Sequence, residues 1–277
     1  MPALPSSLIE PLWDQFAALI PHHVDTHPLG CHRPRIADRI VFDKLLQVLV
    51  LGAGYARISD STCSATTIRT RRDEWIDAGI FEQLEQLCLD AYDQVVGVDL
   101  SDMTVDGCIV KAPCGGEVAG KSPVDRGKLG TKRSLLVDST GCVTAPANRH
   151  DSPLLRPTLA KLVRFDQGLG STLPDKITVH LDAGYDSNKT RDLLHELGCH
   201  YVISLKGFPL QAGARWGGGT NQLMAQPRVQ KLAICTERHA RVIDAFIALA
   251  NAVIITRRLI RTAWTTHRWD TRPTRRP

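Results

Sequence analysis

With 277 residues and 43% hydrophobic side chains, the chain is long enough for one large domain or two modest ones and apolar enough for a real core. A net charge of +5 is mild overall, but Arg257 to Pro277 carries seven arginines against one acid, Asp270, which suits a phosphate backbone as well as plain solvation. Eight cysteines without knuckle or redox spacing exclude a zinc-finger or disulfide scaffold. The N-terminus lacks the basic flank and apolar core of a signal peptide, and the apolar runs are too short to span a bilayer. The expectation is a soluble cytoplasmic protein with reduced thiols and no membrane partner.

Up to about Gly97 the periodicity is helical. Ser7 to Ile20 places Leu8, Ile9, Leu12, Trp13, Phe16, Leu19 and Ile20 at helical spacing before Pro21. Ile36 to Leu51 reads as a buried helix stopped by Gly52 and Gly54. Ser64 to Ala78 is a third helix, its outer face expected to carry Arg69, Arg71 and Arg72 beside Trp75. Phe81 to Val96 is a fourth. Such a bundle is compatible with a helix-turn-helix DNA reader and equally with an ordinary bundle whose basic face is solvated.

From Val98 the period changes. Met103 to Ala112, Ser134 to Asp138 and Cys142 to Ala147 read as short strands. A helix over Ser152 to Arg164, a strand over Lys176 to Asp182, a helix over Ser187 to Leu197 and a strand over His200 to Leu205 follow. Three strands and then alternating helix and strand indicate a mixed α/β sheet. Ala240 to Arg261 is a final long helix.

Two aspartates stand in this second part. Asp182 ends the apolar run Ile-Thr-Val-His-Leu and precedes Ala-Gly184-Tyr, a setting that projects a carboxylate into the crevice at the strand ends of an open α/β sheet. Asp106 lies within the first strand, followed by Gly107, which leaves room for close approach. If the two strands are neighbours, the carboxylates converge and supply hard oxygen ligands for Mg²⁺ or Mn²⁺. A lone strand-end aspartate is more often a turn or cap residue.

The wider pattern resembles a known family. The residues that carry it are Arg39-Ile-Val-Phe-Asp-Lys-Leu-Leu46 through Gly54, Arg69-Thr-Arg-Arg-Asp-Glu-Trp75 and Gly79-Ile-Phe81. Further on they are Val105-Asp106-Gly107, the polar loop Gly127-Lys-Leu-Gly-Thr-Lys132 leading into Leu135-Leu-Val-Asp138, and Asn148-Arg-His-Asp151-Ser. Leu181-Asp182-Ala-Gly-Tyr-Asp186-Ser and Cys235-Thr-Glu-Arg238 complete the set. Together they resemble bacterial insertion-sequence DDE transposases of the four/five type. The resemblance implies a ribonuclease H-like mixed sheet flanked by helices (98–261), preceded by a small all-helical, DNA-binding domain (1–97) and followed by a basic tail (262–277). It implies Asp106 and Asp182 as the first two metal-binding carboxylates of a two-metal Mg²⁺ or Mn²⁺ site. Lys128, Lys132 and Arg133 are implied as contacts to DNA phosphates beside Arg69, Arg71 and Arg72. His150 and Asp151 are either supports of the active site or a surface residue and a helix N-cap.

One stretch departs from the family. After Arg215-Trp216 the family continues with text like Val-Val-Glu-Arg-Thr-Asn-Ser-Trp-Leu-Asn-Arg, whose glutamate is the third ligand. Here Gly217 and Gly218 stand for the valines and Gly219 for that glutamate. A coding string compatible with Gly217 to Arg228, read one base further on, translates to the family text. This suggests a one-base insertion near codon 217 and a compensating deletion near codon 229. Three glycines at about 1 kcal/mol each, with Pro227 at about 3 kcal/mol, disfavour the helix that presents the glutamate.

The expected function is therefore that of a transposase, acting as a homodimer on the terminal inverted repeats of its element and on target DNA near the nucleoid. It would carry out metal-dependent cleavage and strand transfer, with this copy impaired at Gly219. The alternatives are a catalytically dead DNA-binding relict that inhibits a sister transposase, and a ribonuclease H-like nuclease with a domestic role.

Overall fold

The computed structural model describes residues 2–22, 35–98, 100–137, 141–162, 175–204 and 229–266. Helices α1 (Ser6–Leu19), α2 (Asp38–Leu51), α3 (Tyr55–Ile58), α4 (Ala65–Asp77) and α5 (Ile80–Val95) come first. Phe16 is the hub of their core. Its ring centroid lies 4.7 Å from that of Phe42, 4.9 Å from Trp75 and 5.7 Å from Phe81. Ser64 caps α4 by accepting from the Thr67 N–H. Gly79, at φ 68°, takes the left-handed turn between α4 and α5 that a side chain would resist.

The sheet follows. Its strands are β1 (Asp102–Lys111), β2 (Gly120–Lys121), β3 (Leu129–Val137), β4 (Gly141–Pro146), β5 (Thr178–Leu181) and β6 (His200–Ile203). β1 is central, antiparallel to β3 on one side and parallel to β5 on the other. β2 and β4 share the outer edge of β3, and β6 extends β5 in parallel. β1, β2 and β4, each antiparallel to β3, and β5 and β6, parallel to β1, form a six-stranded mixed sheet of the α/β kind expected from the sequence. β3 begins at Leu129, earlier than Ser134, so the polar stretch read as a loop leading into the strand is largely strand itself. α6 (Ser152–Leu159) packs on β3 and β4, and α7 (Asn188–Glu196) connects β5 to β6.

After α8 (Gln230–Ala233), the long α9 runs from Ala240 to Thr266. It packs chiefly against α5, with α1 and α4 beside it. The last helix therefore completes the N-terminal bundle rather than the sheet layer, and one apolar core runs from Leu4 to Ile255. The helix extends five residues beyond Arg261, into the expected tail. Residues 267–277 of that tail, and Gly217 to Arg228, lie outside the described residues. No described helix is long and apolar enough to cross a membrane.

Candidate active site

β1 and β5 run parallel with Thr104 opposite His180 and Val105 opposite Leu181. One residue further, Asp106 and Asp182 stand side by side. β5 ends there, while β1 continues to Lys111 against β3, so the pair sits where β1 loses its parallel neighbour, the end of the sheet at which open α/β folds place ligands. Asp182 is held by its own turn: its Oδ1 accepts the Gly184 N–H at 2.9 Å. A Cβ on Gly184 would approach that oxygen to 3.0 Å. The Asp106 carboxyl is raised above its ordinary range, first by burial and further by the charges of Asp182 and Asp151, against the lowering effect of the Gly107 N–H. A bound cation would relieve that repulsion.

Behind Gly107 lies a second constellation. Successive residues of a strand face opposite ways, so Gly107 looks away from Asp106, towards α6. Into the space where its side chain would be comes Asp151, whose Oδ1 lies 2.6 Å from an ideal Cβ position. Lys132 of β3 grips the same carboxylate, with Nζ 3.0 Å from each oxygen. Asp151 makes no cap bond to α6, so it is held by Lys132 rather than serving as an N-cap. Tyr185 is fully buried beside these acids, and burial is the first cause that raises its phenol well above the ordinary range.

Four of the six basic residues expected to touch DNA are engaged inside the protein. Arg71 is buried and bonds Asp38 and Glu74. Arg72 is buried and donates to the Tyr55 hydroxyl at 2.5 Å, with Asp73 and Glu237 also beside it. Arg133 is 2% exposed and donates to the Leu232 carbonyl at 3.0 Å. Lys132 is spent on Asp151. These four do not form an outward phosphate-binding face, because each answers an internal carboxylate, hydroxyl or carbonyl. Arg69 and Lys128 are exposed, and Arg69 rests 4.8 Å from the Tyr55 ring centroid.

The chemistry of the donor set suits a hard divalent cation, with Asp106 and Asp182 as oxygen ligands. Among the described residues no group of three His, Cys, Asp or Glu side chains stands close enough to hold a metal ion. Asp151 is across the strand from Asp106. Glu237, the first acid after position 219, is tied to Lys231 at 2.5 Å and to Tyr55 at 3.0 Å. The sequence reading did not foresee a cleft of about 460 Å³ over Gly107, walled by Lys121, Asn148, Arg149 and His150. Only the pairing of β2 with β3 brings Lys121 to the Asn148–His150 stretch, and no local pattern announces it.

Two family models match this chain, which together cover the helical bundle and the sheet with its two carboxylates. The family described as "Transposase DDE domain" matches residues 97–246, and "Putative transposase of IS4/5 family" matches residues 8–85. The chain belongs to the DDE transposase family. It is 27% identical over 142 residues, 49% of its own length and 67% of the relative's, to the "Putative transposase for insertion sequence element IS402" of Burkholderia cepacia. Among solved structures it is similar to the Mos1 transposase paired-end complex with left transposon end, at TM-score 0.27 and 15% identity, covering 73% of this chain and 69% of that one. It is also similar to a pre-cleavage Mos1 transpososome, at TM-score 0.32 and 13% identity, covering 96% and 89%.

Proposed function

We propose that this chain binds the terminal inverted repeats of an insertion sequence as a homodimer, and that Asp106 and Asp182 are the first two carboxylates of its cleavage and strand-transfer site. The observation that carries this reading is the convergence of the two acids from parallel neighbours β1 and β5, at the point where β1 loses its parallel neighbour. Their oxygens would hold Mg²⁺ or Mn²⁺, which when bound supplies activation of an attacking hydroxyl and charge stabilisation at the leaving oxygen. Asp182 contributes a carboxylate fixed by the Gly184 N–H. Asp106 contributes one whose burial and like-charged neighbour favour a cation. The site stands in the cytoplasm, at the nucleoid.

Gly219 leaves this set without its third acid, and Glu237 is committed elsewhere, so this copy is impaired in cleavage. The same glycine favours a second reading, a DNA-binding relict that occupies element ends and inhibits a sister transposase. The test is Mn²⁺-dependent cleavage of a labelled duplex carrying the element's end, by this protein and by a version with Gly217 to Arg228 rewritten in the adjacent frame. Cutting by the rewritten protein alone supports the impaired transposase. Cutting by both refutes the account of Gly219. Suppression of the rewritten protein's cutting when the two are mixed supports the inhibitor.

A further inference from the structure

The ladder that brings the two acids together stops just short of them. Its last rungs pair Thr104 with His180 and Val105 with Leu181, so no strand pairing fixes Asp182 to Asp106. Asp182 instead opens a turn. Its side chain accepts the Gly184 N–H at 2.9 Å, and its carbonyl accepts the Tyr185 N–H at 3.1 Å. Asp182 and Tyr185 are thus the two ends of one stiff unit, and whatever holds Tyr185 also aims Asp182.

Tyr185 is held on all sides, with 0% of its surface exposed. Its hydroxyl oxygen lies 4.0 Å from the point where a Cβ on Gly107 would stand. The ring therefore runs from the Asp182 turn to the residue that follows Asp106. Ser134, which pairs with Gly107 across β1 and β3, closes the far end and is fully buried. The hydroxyl faces Ser134 but lacks the geometry of a regular hydrogen bond. Ser134 is engaged instead by the Thr158 hydroxyl at 2.8 Å. A buried hydroxyl without a good partner stabilises little, so the fit of the ring does the holding, as close-packed interiors yield little to displacement.

We propose that Tyr185 is the positioning residue of the acid pair: its ring, wedged between the Asp182 turn and Gly107, sets the separation of Asp182 from Asp106 where the ladder no longer does. The role rests on the reading of both acids as metal ligands and adds to it what fixes their spacing. The hydroxyl lies on the face of β1 turned away from the acids, so Tyr185 acts through the backbone of Asp182 and is not itself a ligand. Groups behind a metal's ligands commonly govern its affinity by about 10–100-fold.

The test is Mn²⁺ binding to the full chain without DNA, followed by the electron paramagnetic resonance signal of free Mn²⁺. Tyr185→Leu removes the ring and should weaken binding by about tenfold or more. Tyr185→Phe keeps the ring and should bind as the unaltered protein does. Leu84→Ala, in the fully buried core of α5, should lower Tm and leave Mn²⁺ affinity unchanged, which separates positioning from plain loss of stability. Where Tyr185→Leu does not fold, Tyr185→Met takes its place with the same expected loss. Unchanged affinity in the variant without the ring would overturn the positioning role and leave both acids as ligands. An equal loss in Leu84→Ala would overturn it too, because affinity would then only follow stability. An equal loss in Tyr185→Phe would do the same by moving the role to the hydroxyl. If the unaltered protein shows no Mn²⁺ binding that Asp106→Asn removes, the reading of the acids fails, and the positioning role with it.

Discussion

Asp151 occupies the space that a side chain on Gly107 would need, with Oδ1 2.6 Å from an ideal Cβ position. The glycine after Asp106 is thus a steric requirement of the carboxylate behind it. Gly107→Ala should force Asp151 off Lys132 and destabilise the protein by about 1–3 kcal/mol, the usual range for overpacking. Chemical denaturation measures this. In an Asp151→Ala background the Gly107→Ala substitution should cost little, so the double-mutant cycle should show strong coupling. Additive effects would mean that the two residues do not meet.

The two ends of the Lys132–Asp151 pair should respond unequally. The Lys132 side chain is 9% exposed and that of Asp151 27%. Removing the acid leaves a buried ammonium with nothing to answer it, whereas removing the lysine leaves a carboxylate that water can reach. Asp151→Ala is therefore expected to be more destabilising than Lys132→Met, by roughly 1 kcal/mol or more. Equal losses would show that the lysine reaches solvent on its own.

Asp106 sets a pH dependence. Its folded pKa lies above its unfolded value, chiefly through burial and then the charge of Asp182. The stability linked to that shift is fully present below the unfolded carboxylate value, near about 4, and is lost as pH rises through the folded value. In EDTA, Asp106→Asn should raise Tm by roughly 2 °C near neutral pH and much less near pH 4. Millimolar Mn²⁺ should stabilise the unaltered protein by linkage and should not stabilise Asp106→Asn. Thermal scans at the two pH values, with and without Mn²⁺, check both statements. Stabilisation of the variant by Mn²⁺ would move the metal away from Asp106.

Much of this was legible in the sequence, for local reasons. Apolar spacing located α1, α2, α4 and α5 to within a few residues, while the strand-end and glycine settings of Asp106 and Asp182 were weak signals that only the family resemblance raised to site candidates. Arg71 and Arg72 were misread because charge was taken as a sign of exposure. Yet Ile68, Arg71, Arg72 and Trp75 follow the spacing of a single helical stripe, and all four are buried. Lys132 and Arg133 were placed in or beside a loop for the same reason, although both lie in β3 and face internal partners. The docking of α9 on the helical bundle depends on contacts across about 160 residues, such as Asn251 with Glu85. No local pattern encodes such a contact.

The joint between the bundle and the chain leading into α9 is a buried charge network. Arg72 lies between the Tyr55 hydroxyl and Glu237, whose other oxygen takes Lys231 at 2.5 Å. Lys231 also donates to Thr236 at 2.7 Å, and its ammonium lies 5.5 Å from the Tyr55 ring centroid. Burial is the first cause that raises the Tyr55 phenol far above its ordinary range. Arg72 keeps Asp73 at 2.8 Å, whereas among the described residues the buried Lys231 pairs with Glu237 as its one carboxylate, so Glu237→Ala should cost about 3–5 kcal/mol. Tyr55→Phe removes one hydroxyl and leaves the charges balanced, so its loss should be nearer 1 kcal/mol. Hydrogen exchange distinguishes a local role from a joint. In Glu237→Ala, amides of α3, α4 and the start of α9 should lose protection together, while β1 and β3 keep theirs. Loss confined to residues around Glu237 would reduce the network to a local clasp.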